Sequence, residues 1–202
     1  MSNLDSGSSH SGQRSQPALP PPTYTIRTAN LADLSVLVDI LITSFYPPNR
    51  FNRWLYPLMR VGINEDLKLR LKAGSTRYYC LAAISSQGQL AGTVEVSLRS
   101  PLPFSPQRAY ISNLAVEKLH RRQGVAQQLL QTCETMAQTW GQQQLYLHVA
   151  TDNSSAQRLY QKLGYRSADP LIEQLTQQLG LPSQKQLQVK DLQLSQTNVV
   201  NS

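Results

Sequence analysis

At 202 residues the chain is long enough for one domain with a full core, and its 40% hydrophobic content is ordinary for a globular protein. No apolar run approaches the roughly 20 residues of a membrane-crossing helix, and two cysteines set far apart in apolar segments, Cys80 and Cys133, read as buried thiols of a reducing, cytoplasmic compartment rather than a disulfide framework. A net charge of +7 points to an anionic ligand, an acidic partner protein or nucleic acid.

Residues 1–22 are rich in Ser, Gly and Pro and are expected to form a disordered tail. They lack the apolar centre of a signal peptide, and Arg14 and His10 are their only basic side chains, which leaves a transit peptide as an open reading. Tyr24–Ala29 alternates like a first strand. Asn30 is placed to cap a helix carrying Leu34, Leu37, Val38 and Leu41 on one face, ended by Pro47-Pro48. The aromatic and basic stretch Arg50–Pro57 precedes a second helix that ends near Lys72, with Gly74 as its stop. Tyr78–Ser85 and Leu90–Leu98 form a hairpin about Gln87-Gly88. A proline-marked loop leads to the strand Ala109–Val116.

The helix after that strand carries Val125, Leu129, Cys133, Met136 and Trp140 at steps of three and four, and Gly141 stops it. Leu145–Val149 is a short strand. A helix starting at Asn153 places Ala156, Leu159, Tyr160 and Leu163 on one side, Gly164 ends it, and Tyr165 begins another strand. The Gln-rich remainder holds one further expected strand, Leu187–Leu194. This order predicts an α/β (α+β) mixed sheet with helices on both faces and a right-handed parallel crossover. The expected organisation is a tail over 1–22, a core domain over 23–168, and a C-terminal extension over 169–202 that completes the sheet.

Chemistry concentrates at Arg121-Arg122-Gln123-Gly124-Val125-Ala126, where a strand runs through a basic turn into a helix. The first turn of a helix has N–H groups without internal partners, and the helix dipole adds partial positive charge there. Glycine lets the backbone approach a ligand closely, and two arginines add charge, so the turn suits a pyrophosphate. Taken alone it also reads as a plain basic helix start. It lacks the Gly-Lys-Ser/Thr of a nucleotide-triphosphate loop and the Gly-x-Gly-x-x-Gly of a dinucleotide fold.

The wider pattern is more specific. Val116, Arg121, Gly124, Ala126 and Leu129-Leu130 resemble the acyl-CoA loop of the GNAT superfamily of N-acetyltransferases. Asn153-x-x-Ala156-x-x-Leu159-Tyr160-x-x-Leu163-Gly164-Tyr165 resembles that family's second block. Both occur in the right order, and the resemblance covers residues 23–168. Within the family the chain is similar to plastid-type and cyanobacterial-type acetyltransferases that modify protein amines.

The resemblance implies a sheet whose fourth and fifth strands splay apart. It implies acetyl-CoA as co-substrate, with the backbone of Leu114, Ala115 and Val116 pairing with its pantetheine arm. The pyrophosphate would lie on N–H groups of Arg122, Gln123, Gly124, Val125, Ala126 and Gln127, with Arg121 closing the turn. Ala126 replaces the commoner glycine, and Lys118 stands where many members have proline. Tyr160 would be the proton donor to the departing thiolate, and Asn153 would cap its helix and contact the pantetheine arm.

Two residues compete as general base. Glu95 lies on the second hairpin strand, near where several members carry a carboxylate; it also reads as a solvated or ion-paired strand residue. His148 stands five residues before the motif asparagine, where the ribosomal-protein alanine acetyltransferases place glutamate. An imidazole titrates near neutrality, and it equally reads as a packed strand histidine.

Phe51, Trp54 and Tyr56 are expected to line an amine pocket or pack between helices. Arg50 and Arg53 would attract acidic side chains beside the target. Arg60, Lys68, Arg70 and Lys72 read as a solvated basic face. No metal constellation is expected, and neither cysteine has a nucleophile's setting. The expected reaction is direct acetyl transfer to a protein lysine or N-terminal amine. A polyamine or amino-sugar acceptor, a non-catalytic acyl-CoA sensor and a basic nucleic-acid module remain alternatives, the last without a recognised motif.

Overall fold

The computed structural model describes residues 23–46, 54–101, 103–169 and 184–193. Its first strand, β1 (Tyr24–Thr28), gives way to a cap built by two side chains. The Asn30 carboxamide accepts from the Ala32 amide at 2.8 Å, and the Asp33 carboxylate accepts from the Asn30 amide at 2.8 Å. The chain makes one 3-10 turn, Leu31–Asp33, and continues as α1 (Leu34–Phe45). The second helix, α2 (Tyr56–Lys72), starts within the aromatic stretch expected to precede it. Pro57 fits that first turn because its position needs no N–H partner. Pro47, Pro48, Arg50, Phe51 and Arg53 lie outside the described residues, as do residues 1–22 and most of 169–202.

The hairpin is β2 (Tyr78–Ser85) and β3 (Leu90–Arg99), with Gly88 at φ 78° in its turn. β4 (Arg108–Val116) runs antiparallel to β3. The crossover helix α3 (Val125–Thr139) then delivers β5 (Gln144–Ala150) parallel to β4. The last elements are α4 (Ser154–Lys162), β6 (Arg166–Ser167) and β7 (Lys185–Asp191). The sheet order is β1-β2-β3-β4-β5-β7-β6, so the last strand inserts between β5 and β6, antiparallel to both. Its early start and its end at Asp191 shift it from the expected 187–194.

Alternation along the strands builds one core on each face. Leu81 and Ala83 of β2 join Val125, Leu129, Leu130 and Cys133 of α3 on one side. Cys80 and Ala82 join α1 and Leu67 of α2 on the other. Leu129 and Leu130, both fully buried, contribute about 1.5–3 kcal/mol each by burial. The two cysteines therefore sit on opposite sides of the sheet. Burial pushes the Cys80 thiol up to about 12 and the Cys133 thiol higher still, which removes both as nucleophiles at neutral pH.

Two local events shape the middle of the sheet. Thr93 pairs with Ala115 but Glu95 pairs with Ser112, so Asn113 and Leu114 together face Val94 in a β-bulge. Asn113 takes the left-handed conformation there, φ 54°, which asparagine tolerates better than most side chains. Pairing of β4 with β5 runs from Ala109/Leu145 to Ile111/Leu147 and stops where the bulge begins. Beyond it the two strands separate, as expected for the fourth and fifth strands.

The other event is at Gly92. A Cβ there would lie 2.9 Å from the Ala115 carbonyl oxygen and 3.1 Å from Val125 Cγ1. The missing side chain lets the head of α3 press onto the sheet. Gly92→Ala is expected to lower stability by about 1–3 kcal/mol through overpacking. It should also raise hydrogen exchange at Val125–Gln128 more than at β1. An unchanged urea midpoint would show that α3 has room to spare.

Candidate active site

The loop between β4 and α3 is fixed by its own side chains. Glu117 caps a 3-10 turn, Lys118–His120, by accepting from the Leu119 amide, so Lys118 enters a defined turn without proline. Tyr24 Oη donates to Gln123 Oε1 at 2.6 Å, and Gln123 Nε2 donates to the Leu119 carbonyl at 2.8 Å. The Gln123 side chain is thus a strut, and its backbone N–H is the group left without a protein acceptor among the described residues. Arg121 Nε donates to the Val116 carbonyl at 3.0 Å and closes the turn as expected. That bond also occupies one of the β4 carbonyls expected to pair with a ligand.

Arg122 (φ 66°) and Gly124 (φ 86°) are both left-handed, which turns successive amides inward in a nest. Gly124 is the N-cap of α3 and offers no side-chain acceptor. The first bond into the helix runs from the Gln128 amide to the Gly124 carbonyl at 3.0 Å. Among the described residues the N–H groups of Arg122, Gln123, Gly124, Val125, Ala126 and Gln127 donate to no protein acceptor. Six free amides at the positive end of a 15-residue helix, with Arg121 and Arg122 beside them, make an anion cradle. Leu114, Ala115 and Val116 run alongside with no strand partner on their β5 side.

Tyr160 lies on the buried side of α4, 7% exposed, with its ring 5.7 Å from that of Tyr165. Among the described residues its hydroxyl makes no hydrogen bond. Burial, reinforced by the nearby Tyr110, pushes it up to about 12. Asn153 caps α4, its Oδ1 accepting from the Ala156 amide at 3.1 Å.

His148 is on β5 just past the last β4 pair, on the face opposite the α3 core, and its Nδ1 is hydrogen-bonded to Tyr110 Oη. Partial burial and the Lys185 ammonium hold its pKa below the usual histidine range. Tyr110 carried no sequence signal. Its importance comes from a parallel register that places it beside Tyr146, one step from His148.

Glu95, expected as a catalytic carboxylate, is 1% exposed, and both of its oxygens are taken. Asn113 Nδ2 donates to Oε1 at 2.8 Å, and Arg70 of α2 donates to Oε2. Arg70 also pairs with Asp66 one turn back. Glu95 therefore links α2 to the bulge and is buried and ion-paired rather than solvated. The other expected basic face is likewise partnered, with Arg60 on Asp39 and Lys68 on Glu65. Trp54 is exposed, while Tyr56 packs against the α1 core.

Residues 39–165, more than half of the chain, match the family model described as Acetyltransferase (GNAT) family. The chain belongs to this family. It is 30% identical over 137 residues to GCN5-related N-acetyltransferase 10, chloroplastic, of Arabidopsis thaliana, covering 60% of this chain and 54% of that protein. The chain thus spans about half the length of this curated relative. Among solved structures it superposes on the PaiA N-acetyltransferase of Thermoplasma acidophilum in complex with coenzyme A, with a TM-score of 0.66 at 17% identity, over 84% of this chain and 99% of that one. The ribosomal-protein-S18-alanine N-acetyltransferase of Escherichia coli gives 0.58 at 18% identity, over 89% and 100%. Those two likenesses are of fold.

The signals for Asn113 and Gly92 were in the chain. An asparagine inside an apolar strand favours a left-handed bulge, and a glycine inside a strand marks close backbone approach. Glu95→Gln is expected to lower unfolding stability by about 2 kcal/mol, discounted because Arg70 is partly exposed and keeps Asp66. Denaturation in urea reads this directly, and a midpoint equal to wild type would show that the link carries no stability.

Proposed function

We propose that the chain transfers an acetyl group from acetyl-CoA directly to a protein amine, a lysine side chain or an N-terminus. The row of six unpartnered amides beside the unpaired edge of β4 carries this reading. It offers a diphosphate site and an extended edge in the order a pantetheine phosphate needs. Arg121, Arg122 and the 122–127 amides would hold the diphosphate. Leu114 and Ala115 would pair with the arm, and Asn153 stands at its far side. When bound, acetyl-CoA supplies an activated acetyl group whose C–S bond breaks as the C–N bond to the amine forms.

Two side chains handle the proton. In the tautomer that donates Nδ1–H to Tyr110 Oη, His148 has a free Nε2 lone pair to take the proton from the amine. Its lowered pKa keeps it unprotonated at neutral pH. Tyr160, pushed up to about 12, stays protonated and would offer its hydroxyl to the departing sulfur. A thiol ionises near 8.5, so complete transfer from Tyr160 would be uphill by about 5 kcal/mol. Tyr160 acts chiefly by hydrogen-bonding the charge as it grows. Glu95 is a positioning residue that fixes the bulge.

A protein acceptor is favoured by the names of the relatives similar in sequence, which include an N-alpha-acetyltransferase of Sulfurisphaera tokodaii, 32% identical over 71 residues. Buried, unbridged Cys80 and Cys133 suit a reducing compartment such as the cytoplasm. The test is to incubate the protein with labelled acetyl-CoA and a proteome extract and locate the acetylated amines by mass spectrometry. Label on protein amines supports the reading, and label confined to polyamines or amino sugars overturns it.

Tyr160→Phe should bind coenzyme A within about twofold of wild type and lose about 10²–10³ in kcat. Full turnover in that variant would remove Tyr160 from the chemistry. The pH profile has a definite sign. His148 has a lowered pKa, so kcat/KM should fall only as pH drops below its value, under about 6.5. Lys185→Gln removes a positive charge and should move that acid limb to higher pH. No alkaline loss from Tyr160 is expected below about pH 10.

A further inference from the structure

One charged patch on the molecule lies beyond the acyl-CoA cradle and the proton-handling side chains. Arg99 of β3 and Arg108 of β4 stand directly opposite each other in the antiparallel register, so both guanidinium groups emerge on the face that carries His148. Like charges facing each other across a sheet repel, and a fold with no use for them would be expected to place a carboxylate between them or separate them. Neither arginine has an ion-pair partner among the described residues. Asp191, which lines the same cleft as Arg108, is taken by Arg166 at 2.8 Å and Gln144 at 2.8 Å.

Both arginines are nevertheless held in place. Arg99 donates from Nε to Ser97 Oγ at 2.9 Å and from Nη2 to Ser112 Oγ at 3.1 Å. Its guanidinium lies 4.8 Å from the centre of the Tyr110 ring. Arg108 lies 5.1 Å from the centre of the Tyr146 ring. Among the described residues no acceptor takes a hydrogen bond from Arg99 Nη1 or from the Arg108 guanidinium. Tyr110 connects this patch to the reaction, since its ring lies under Arg99 and its hydroxyl is bonded to His148. At the outer end, Arg108 lines a cleft of about 600 Å³ with Gln107, Gln142, Gln143, Tyr146 and Asp191, the last already paired with Arg166. Amide and tyrosine groups along such a cleft can hydrogen-bond a peptide backbone.

We propose that the acceptor is an acidic segment of a protein, read by Arg99 and Arg108 through carboxylates close to the amine that reaches His148. Arg99 meets the carboxylate nearest the amine, and Arg108 meets one farther along the cleft. A guanidinium fork pairs with carboxylates in two parallel bonds, and the Tyr110 and Tyr146 rings lie within cation–π distance of the two forks. The net charge of +7 draws the same class of partner from solution. This inference rests on the protein-acceptor reading above.

The test compares two synthetic lysine peptides of equal length, one with aspartates on both sides of the lysine and one with serines, at low salt with saturating acetyl-CoA. The wild-type protein should favour the acidic peptide about tenfold in kcat/KM, chiefly through KM. In Arg99→Gln/Arg108→Gln that ratio should fall to near one. Arg108→Glu alone, a surface change that spares the Tyr110 contact of Arg99, should reverse the preference toward a peptide with lysine in place of aspartate. The acidic preference should shrink as salt rises from 50 to 300 mM. A wild-type ratio near one, or a tenfold ratio that survives the double substitution, overturns the inference and leaves the protein-acceptor reading standing. Turnover of spermidine or an amino sugar with no peptide acetylated overturns both.

Discussion

One extra residue in β4 governs the middle of this molecule. Because Asn113 and Leu114 share a single partner on β3, the strand turns at that point. Its parallel pairing with β5 ends at Ile111/Leu147. A strand that leaves its neighbour exposes a row of backbone groups that must find another partner or water. A bulge of this kind is held only if its surroundings hold it. Here a buried carboxylate does so, accepting from Asn113 on one oxygen and from Arg70 on the other. Breaking such a bridge leaves a charge or an amide unpaired in the interior, a cost of a few kcal/mol, whereas leaving β4 straight would close the gap.

The anion cradle depends on the same region through packing. Val125 and Leu129 reach the sheet at Gly92, next to the carbonyl of Ala115. The head of α3 is therefore positioned against the strand whose edge is open, and the six free amides sit at one end of that edge. Left-handed Arg122 and Gly124 aim those amides, and the strut from Tyr24 through Gln123 to Leu119 prevents the turn from relaxing. A turn with two left-handed residues costs of order 1 kcal/mol or more in strain for the arginine. Such a turn persists where the surrounding contacts fix it, and β1 supplies one of them.

How much of this was legible in the chain follows from the kind of signal each part leaves. Period-two runs bounded by turn residues marked β2 through β5 within a residue or so at each end, and the step-of-four stripe from Val125 to Trp140 marked α3. The basic turn was legible only together with the Asn153–Tyr165 block, since alone it also reads as a plain basic helix start. Strand order was not legible, since nothing local in Leu187–Asp191 says that it pairs with β5 rather than β6 alone. The fate of Glu95 was not legible either. Whether a strand carboxylate is a base or a bridge depends on Arg70, 25 residues away, and on Asn113, 18 residues away. Tyr110 and the opposed Arg99 and Arg108 are products of register, which alternation alone does not set across separate strands.

The placement of acid and base explains why the gap matters beyond binding. Leu145, Leu147 and Val149 of β5 face the α3 core, so His148 and Tyr146 between them face the other way. Tyr160 belongs to the α3 core. The proposed proton acceptor, His148, and the proposed donor to the leaving sulfur, Tyr160, therefore stand on opposite faces of one sheet. With β4 and β5 paired along their whole length, a continuous backbone ladder would separate them, and no single reacting carbon could lie near both. Parting the strands after Ile111 and Leu147 removes that wall where it stands between them. In the proposed reaction one substrate would enter along the α3 side and the other along the side bearing His148 and the arginine pair. They would meet in the opening and react directly, as proposed, in a chain whose two thiols are buried in its cores.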